Sequence, residues 1–239
     1  MTFHVGTSGW SYDHWRGGFY PEELAKSRWF DFYAERFNTV EVNATFYRRF
    51  KDSTYRKWDD RAPEGFRYVL KVPRLISHRH KLHDVTGLIT EFTRSASLLG
   101  RKLGLLLLQL PPNMPYAPER LDAALQAFES PSRVAVEFRD ERWLCEEILA
   151  LLRARGANYC NPDDPEHALS DIVTGDTGYL RLHGRRTWYA DNYTDEELRD
   201  IAETAHRMRQ RGAKEVYIFF NNDYAAYAPH NAAALSCLI

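Results

Sequence analysis

Seven short stretches set polar or ionisable residues at the end of an apolar run. They are Glu41-Val42-Asn43, Lys71 between Leu70 and Val72, Gln109 after four consecutive leucines, Glu137-Phe138-Arg139, Asn161, Arg181-Leu182-His183, and Asn221-Asn222-Asp223. Glu41 and Glu137 are two carboxylates that could act as acid and base, or as acid and nucleophile. His183 is suited to proton transfer. Arg139, Arg181 and Lys71 are suited to holding a carboxylate or phosphate. Asn43, Gln109, Asn221 and Asn222 would orient a polar substrate, while Trp10, Tyr12 and Tyr47 offer aromatic faces for stacking.

The same residues allow competing chemistries. Cations close to Glu41 and Glu137 would depress both carboxyls, which suits a nucleophile or a ligand-holder better than a general acid. His183 with the two glutamates forms a conceivable N/O ligand set for a metal, but it is the one histidine at a strand end. The expectation is therefore a site with no metal and no cofactor. A lysine such as Lys71 becomes a Schiff-base nucleophile when its pKa is lowered. Two nearby glutamates would raise that pKa, so a binding or charge-balancing role is expected.

The elements that must position these groups are legible as a repeating pattern. Strands are expected at Phe3–Gly6, Thr39–Val42, Arg67–Val72, Gly104–Leu110, Arg133–Phe138, Ala157–Asn161, Tyr179–His183 and Glu215–Phe220. Most are continuous apolar runs, as parallel strands buried on both faces require. Between them the period becomes helical: Phe30, Tyr33, Ala34 and Phe37; Leu121, Ala124, Leu125 and Phe128; Leu198, Ile201, Ala202 and Ala205. Pro118 suits a first helical position, Thr194 with Glu197 reads as a capping box, and Gly100, Gly156 and Gly212 read as left-handed caps. Pro162 to Gly178 is loop-like, with at most a short helix near Pro165–Asp171. The helix after the eighth strand should begin near Pro229.

Eight strand–helix units in a chain of 239 residues predict one α/β domain over residues 1–239, a TIM-type (β/α)8 barrel whose sixth helix is short or irregular. In that fold the C-terminal strand ends carry the site. Side-chain alternation then sends Glu41, Glu137 and Arg181 to the barrel axis, with Val42, Phe138 and Leu182 facing the helices. The opposite phase would bury charges in an apolar layer at a cost of several kcal/mol per unpaired ion. The turn Gly6-Thr7-Ser8-Gly9-Trp10 is not GxGxxG, so a dinucleotide fold is the weaker reading.

Composition narrows the function classes. The chain has 32 Lys+Arg against 33 Asp+Glu, a net charge of -1, which removes any global case for nucleic acid or an anionic membrane as partner. The apolar run Leu103 to Leu108 is far too short to span a bilayer, and the N-terminus lacks the pattern of a signal peptide. Cys145, Cys160 and Cys237 have no CxxC spacing, which points to a reducing, cytoplasmic setting. The aromatics Trp15, Phe19, Tyr20, Trp143, Trp188, Tyr189 and Tyr193 fall in loops, where Trp15 and Trp143 are expected to form a small second core. The basic loop Ser77–His83 reads as a solvated face or a local phosphate contact.

In combination these motifs resemble the YecE-like proteins, domain of unknown function 72. The matching stretches are Gly6–Tyr12, Trp15-Arg16-Gly17, Phe19-Tyr20-Pro21, Phe37–Asn43, Thr45-Phe46-Tyr47, Gln109–Pro112, Glu137-Phe138-Arg139, Arg181–Gly184 and Phe220–Asn222. The resemblance implies a TIM-type barrel and no settled activity. The expected function is an enzyme, of hydrolase, lyase or isomerase type, acting on a small polar or anionic molecule such as a sugar, sugar phosphate or nucleotide-like compound. A metal-dependent phosphodiesterase or nuclease using His183 and the two glutamates is the alternative, and a non-catalytic ligand- or nucleic-acid-binding barrel a third. The oligomeric state is not legible.

Overall fold

The computed structural model describes residues 2–239. Eight strands form one parallel sheet: β1 (Thr2–Thr7), β2 (Thr39–Val42), β3 (Arg67–Lys71), β4 (Leu103–Gln109), β5 (Val134–Glu137), β6 (Asn158–Asp163), β7 (Thr177–Leu182) and β8 (Glu215–Phe220). The strand order β1-β8-β7-β6-β5-β4-β3-β2 wraps the sheet almost into a closed barrel. Their apolar runs follow from burial on both faces: β2, β6 and β7 are buried at every position.

The interior is a small core of Val69, Leu105, Leu107, Ala135, Cys160, Tyr179, Tyr217 and Phe219. The outward residues of the same strands, among them Val40, Val42, Leu106, Leu108, Val136, Leu180 and Phe220, join the larger core under the helices. Alternation thus holds strand by strand. It carries Glu41, Lys71, Gln109, Glu137 and Arg181 inward, above the apolar plug and toward the C-terminal mouth.

Six of the eight connections hold a single main helix. These are α1 (Trp29–Ala34), α4 (Thr86–Ala96), α5 (Pro118–Ala127), α6 (Glu146–Arg155), α7 (Asp195–Gln210) and α8 (Tyr227–Ser236). The second connection holds two, α2 (Ala44–Tyr47) and α3 (Asp52–Arg61). The sixth connection carries no helix: the short one expected near Pro165–Asp171 is absent. There Asp164 accepts from the backbone N–H groups of Glu166 and His167 at 2.9 Å, and Asn161 Oδ1 accepts from that of Ile172 at 3.0 Å. Side chains in and just after β6 satisfy the backbone that a helix would otherwise satisfy internally.

The terminal signals hold in most places. Pro118 opens α5, and Thr194 and Glu197 make both bonds of a capping box on α7. Gly156 is left-handed at φ 68 and ψ 14. Gly100 has positive φ but ψ of -125, outside the helical region, because it links a tight helical turn directly to the start of β4. Phe37 lies beyond the end of α1, though it remains buried.

The junction of β1 and β2 is the weak seam of the barrel. Among the described residues the sole ladder contact there is the bridge Ser8–Glu41. Side chains from the α1–β2 segment do the rest. The Tyr33 hydroxyl accepts from the Thr7 N–H at 2.8 Å and donates to the Thr39 carbonyl at 3.0 Å. Asn38 accepts from the Val5 N–H at 3.2 Å and donates to the Phe3 carbonyl at 3.0 Å. Two side chains therefore stand in for a missing stretch of ladder.

Candidate functional site at the barrel mouth

Just above the interior plug lies a buried ionic network. Glu41, at the end of β2, is fully buried. Its Oε1 accepts from Ser8 Oγ and Arg181 Nη2, both at 2.8 Å, and its Oε2 accepts from the Tyr179 hydroxyl at 2.7 Å. Glu137, equally buried at the end of β5, lies 2.5 Å from Arg139 Nη2 and 3.3 Å from Arg181 Nη1. Arg181 thus spans both glutamates. Arg139 also reaches Asp164 at 3.4 Å, and its guanidinium lies 5.1 Å from the centre of the Trp188 ring.

These contacts set the protonation states. Burial alone would raise the Glu41 carboxyl, but the Arg181 guanidinium overrides it and holds the group below the usual range. Burial opposes Glu137 in the same way, and Arg139 with Arg181 drives it well below. The sequence-based expectation of two depressed carboxylates matches this arrangement.

His183 is fully enclosed. Its Nε2 faces Arg139 Nη2 at 2.8 Å and Arg181 Nη1 at 3.1 Å, and its Nδ1 faces the Asn221 amide at 2.9 Å. Two guanidinium donors on one nitrogen demand an unprotonated acceptor there. Burial and Arg181 accordingly lower its pKa to about 4. The donor set of a metal site is also preoccupied. Glu41, Glu137 and His183 Nε2 each already receive a guanidinium, and no group of three His, Cys, Asp or Glu side chains among the described residues is arranged to hold a metal ion.

Above the network opens a cavity of about 620 Å³ lined by Tyr12, Asn43, Lys71, Gln109, Arg181 and Asn221, together with Phe46, Tyr47, Arg74, His78, Tyr189 and Asp223. The strand ends and their loops therefore bring together seven of the expected substrate-binding residues. Arg139 opens instead on an adjoining recess with Gln109, Glu166 and Trp188. Two expected residues lie elsewhere. Trp10 packs edge-on to Phe30 and Trp58, among the aromatics outside the sheet. Asn222 is fully buried and donates to Asp191 O and Asn231 Oδ1 at 2.8 Å, tying the β8 end to its neighbouring loops. Trp15 and Trp143 are fully buried, and Trp143 stacks on Phe138, so both belong to packing.

Lys71 departs from expectation. Only 7% exposed, its ammonium has no hydrogen bond or ion pair among the described residues and lies 4.4 Å from the centre of the Phe46 ring. Two nearby glutamates were expected to raise its pKa. Instead burial, then Arg181, lower it to about 8. Glu137 and Glu41 still pull the pKa upward, as expected, but burial and the neighbouring guanidiniums outweigh them.

Five cavity residues had been given no site role: Phe46, Arg74, His78, Tyr189 and Asp223. His78 belongs to the basic loop and Arg74 just precedes it, at the start of a π-helical turn over Leu75–Arg79 beside the mouth. Their signal was the density of positive residues after Lys71. Asp223 directly follows the Asn221-Asn222 pair, and its carboxyl is pushed up by burial.

Fold and mouth together define a TIM-type barrel protein with a charged cavity at the C-terminal strand ends. The family model described as "Protein of unknown function DUF72" matches residues 4–239, so the chain belongs to that family. It is 29% identical to a DUF72 family protein (TM1631) of Thermotoga maritima, with a TM-score of 0.89 over 100% of this chain and 99% of that one. It is 23% identical to UPF0759 protein YunF of Bacillus subtilis over 95% of this chain and 91% of that protein. It is 31% identical to UPF0759 protein YecE of Escherichia coli (strain K12) over 69% of this chain, a match spanning 61% of YecE.

Proposed function

We propose that the barrel mouth binds a compact, anionic small molecule, and that the protein is an enzyme acting on it. The observation that carries this reading is the unpaired charge on the cavity wall. Lys71 and Arg74 both line the cavity, and neither has an anionic partner among the described residues. An ammonium held almost out of water without a counterion is unfavourable unless a ligand supplies the missing charge. The concave, partly enclosed wall focuses that field toward the cavity.

Within this reading the roles divide by depth. Glu41, Glu137, Arg139 and His183 form the floor, and Arg181 is held in place by the two glutamates. Their charges are largely spent on one another, which makes them positioning residues. Lys71 and Arg74 take the anionic group, while Gln109, Asn43 and Asn221 present amides for hydroxyl or carbonyl groups of a sugar-like ligand. Tyr12 and Tyr47 bound the opening. The size of the cavity suits a sugar phosphate or a molecule of similar bulk.

The test is a crystal grown with selenate, a sulfate analogue located by its anomalous signal. The expected peak lies between Lys71 and Arg74. Peaks confined to the outer surface, with none at the mouth, would overturn the proposal.

A further inference from the structure

The environment of Lys71 fits a second role beyond charge. We infer that Lys71 is a nucleophilic amine that forms an imine with a carbonyl-bearing ligand in the mouth cavity. The inference deepens the anion-binding reading and rests on it: the ligand would be a phosphorylated or carboxylated aldehyde or ketone.

Three features of the geometry support it. Lys71 emerges from the last position of β3, so its backbone is fixed by the ladder to β4 and by the Thr45 hydroxyl, which donates to its carbonyl at 2.7 Å. Its ammonium lies against an aromatic ring and is free of ion pairs, whereas Arg139 and Arg181 are both engaged by carboxylates. It also opens onto a cavity that holds amides for the substrate's polar groups and a half-buried carboxyl, Asp223, for proton traffic. A lysine needs its free-base form to attack, and the surroundings that keep Lys71 partly neutral near pH 8 provide it.

The step balances without a redox partner. The Nζ lone pair attacks the carbonyl carbon, and one Nζ proton is passed to the carbonyl oxygen to give a neutral carbinolamine. The carbinolamine then loses its hydroxyl as water, assisted by a proton, and Nζ releases its remaining amine proton as the C=N bond forms. The products are the imine and one water. Asp223, the carboxyl on the cavity wall, is assigned the exchange of these protons.

The experiment treats the intact protein at pH 8 with dihydroxyacetone phosphate and sodium cyanoborohydride, which reduces the imine to a stable secondary amine. Peptide mass mapping then measures adduct at each lysine. At pH 8 an ordinary lysine is about 0.4% free amine, so Lys71 should react about tenfold or more faster than exposed Lys51 and Lys57. Inorganic phosphate should compete with the labelling. Lys71→Arg, checked for native circular dichroism, should show none at that position and no new labelling elsewhere. Labelling of Lys71 no faster than of Lys51 and Lys57 would overturn the inference. Protection by inorganic phosphate is read separately, as a rise in melting temperature. If phosphate stabilises the protein through Lys71 yet no adduct forms, the anion site stands and the imine falls. If neither occurs, both fall.

Discussion

Glu41 and Arg181 lie 140 positions apart in the chain and meet near the barrel axis, with Arg181 Nη2 2.8 Å from Glu41 Oε1. Both side chains are almost completely removed from solvent. The pair joins β2 to β7 across the barrel, and Glu137 on β5 completes it from a third direction. An ion pair this deep repays its desolvation only when all partners are present. The floor of the mouth is therefore a unit.

Removing the shared cation should show this. Arg181→Met leaves two buried carboxylates with reduced compensation, a loss of about 3–5 kcal/mol. For a chain of this size that corresponds to a fall in melting temperature of roughly 6–20 °C. Calorimetry measures it. A change within about 2 °C would mean that the network contributes little and that Arg181 is held by packing.

A second expectation concerns the seam between β1 and β2. Tyr33→Phe removes a hydroxyl that serves both the Thr7 N–H and the Thr39 carbonyl. Two buried backbone groups are then left unpaired, at a cost of about 1–3 kcal/mol. Denaturant unfolding gives the stability change. Hydrogen exchange should localise it, with the Thr7 amide losing protection more than amides of β4 or β5. Uniform loss across the barrel would contradict a local seam.

How much of this was legible beforehand depends on what enforces each feature. The strands were readable because a parallel strand covered on both faces admits few polar residues, and the expected bounds of β2 and β8 coincide with the observed ones. The charged strand ends were readable because alternation leaves Glu41, Glu137 and Arg181 only one tolerable direction. The loop-like sixth connection was readable too, but not the loss of even its short helix, since the backbone there is satisfied by Asn161 and Asp164, side chains whose aim has no periodic signature. Nor was the role of Arg74 and His78, which depends on the path of a π-helical turn. The pKa of Lys71 was misjudged for a similar reason. Two glutamates could be counted in the sequence, but the depth of burial that outweighs them could not.

The titration of the site gives a third expectation. Glu41 and Glu137 have folded pKa values depressed below their unfolded ones, so the stability they contribute is present above about pH 4.5 and lost as the pH falls through their folded values. His183 acts in the same direction: with a folded pKa of about 4 against 6.5, it destabilises progressively as the pH falls from 6.5 to 4. Lys71 is lowered from 10.5 to about 8, so it adds stability as the pH rises across that interval. Melting curves should therefore fall steeply on the acid side. On the alkaline side, Lys71→Met should lose a stabilising slope between pH 8 and 10.5 that wild type shows. Identical alkaline profiles for the two proteins would contradict a lowered Lys71 pKa.

The central claim is an anion site at the mouth that depends on Lys71, and the most direct measurement is the melting temperature as a function of sulfate at constant ionic strength. Sulfate keeps its charge across the relevant pH range, so any pH effect belongs to the protein. The account predicts a saturable rise in wild type at pH 7 that shrinks as the pH passes about 8. Lys71→Met should abolish the rise, Arg74→Ala should weaken it, and Arg79→Ala, on the neighbouring groove, should leave it intact. A rise that survives Lys71→Met and disappears with Arg79→Ala would place the anion outside the barrel mouth and contradict the account.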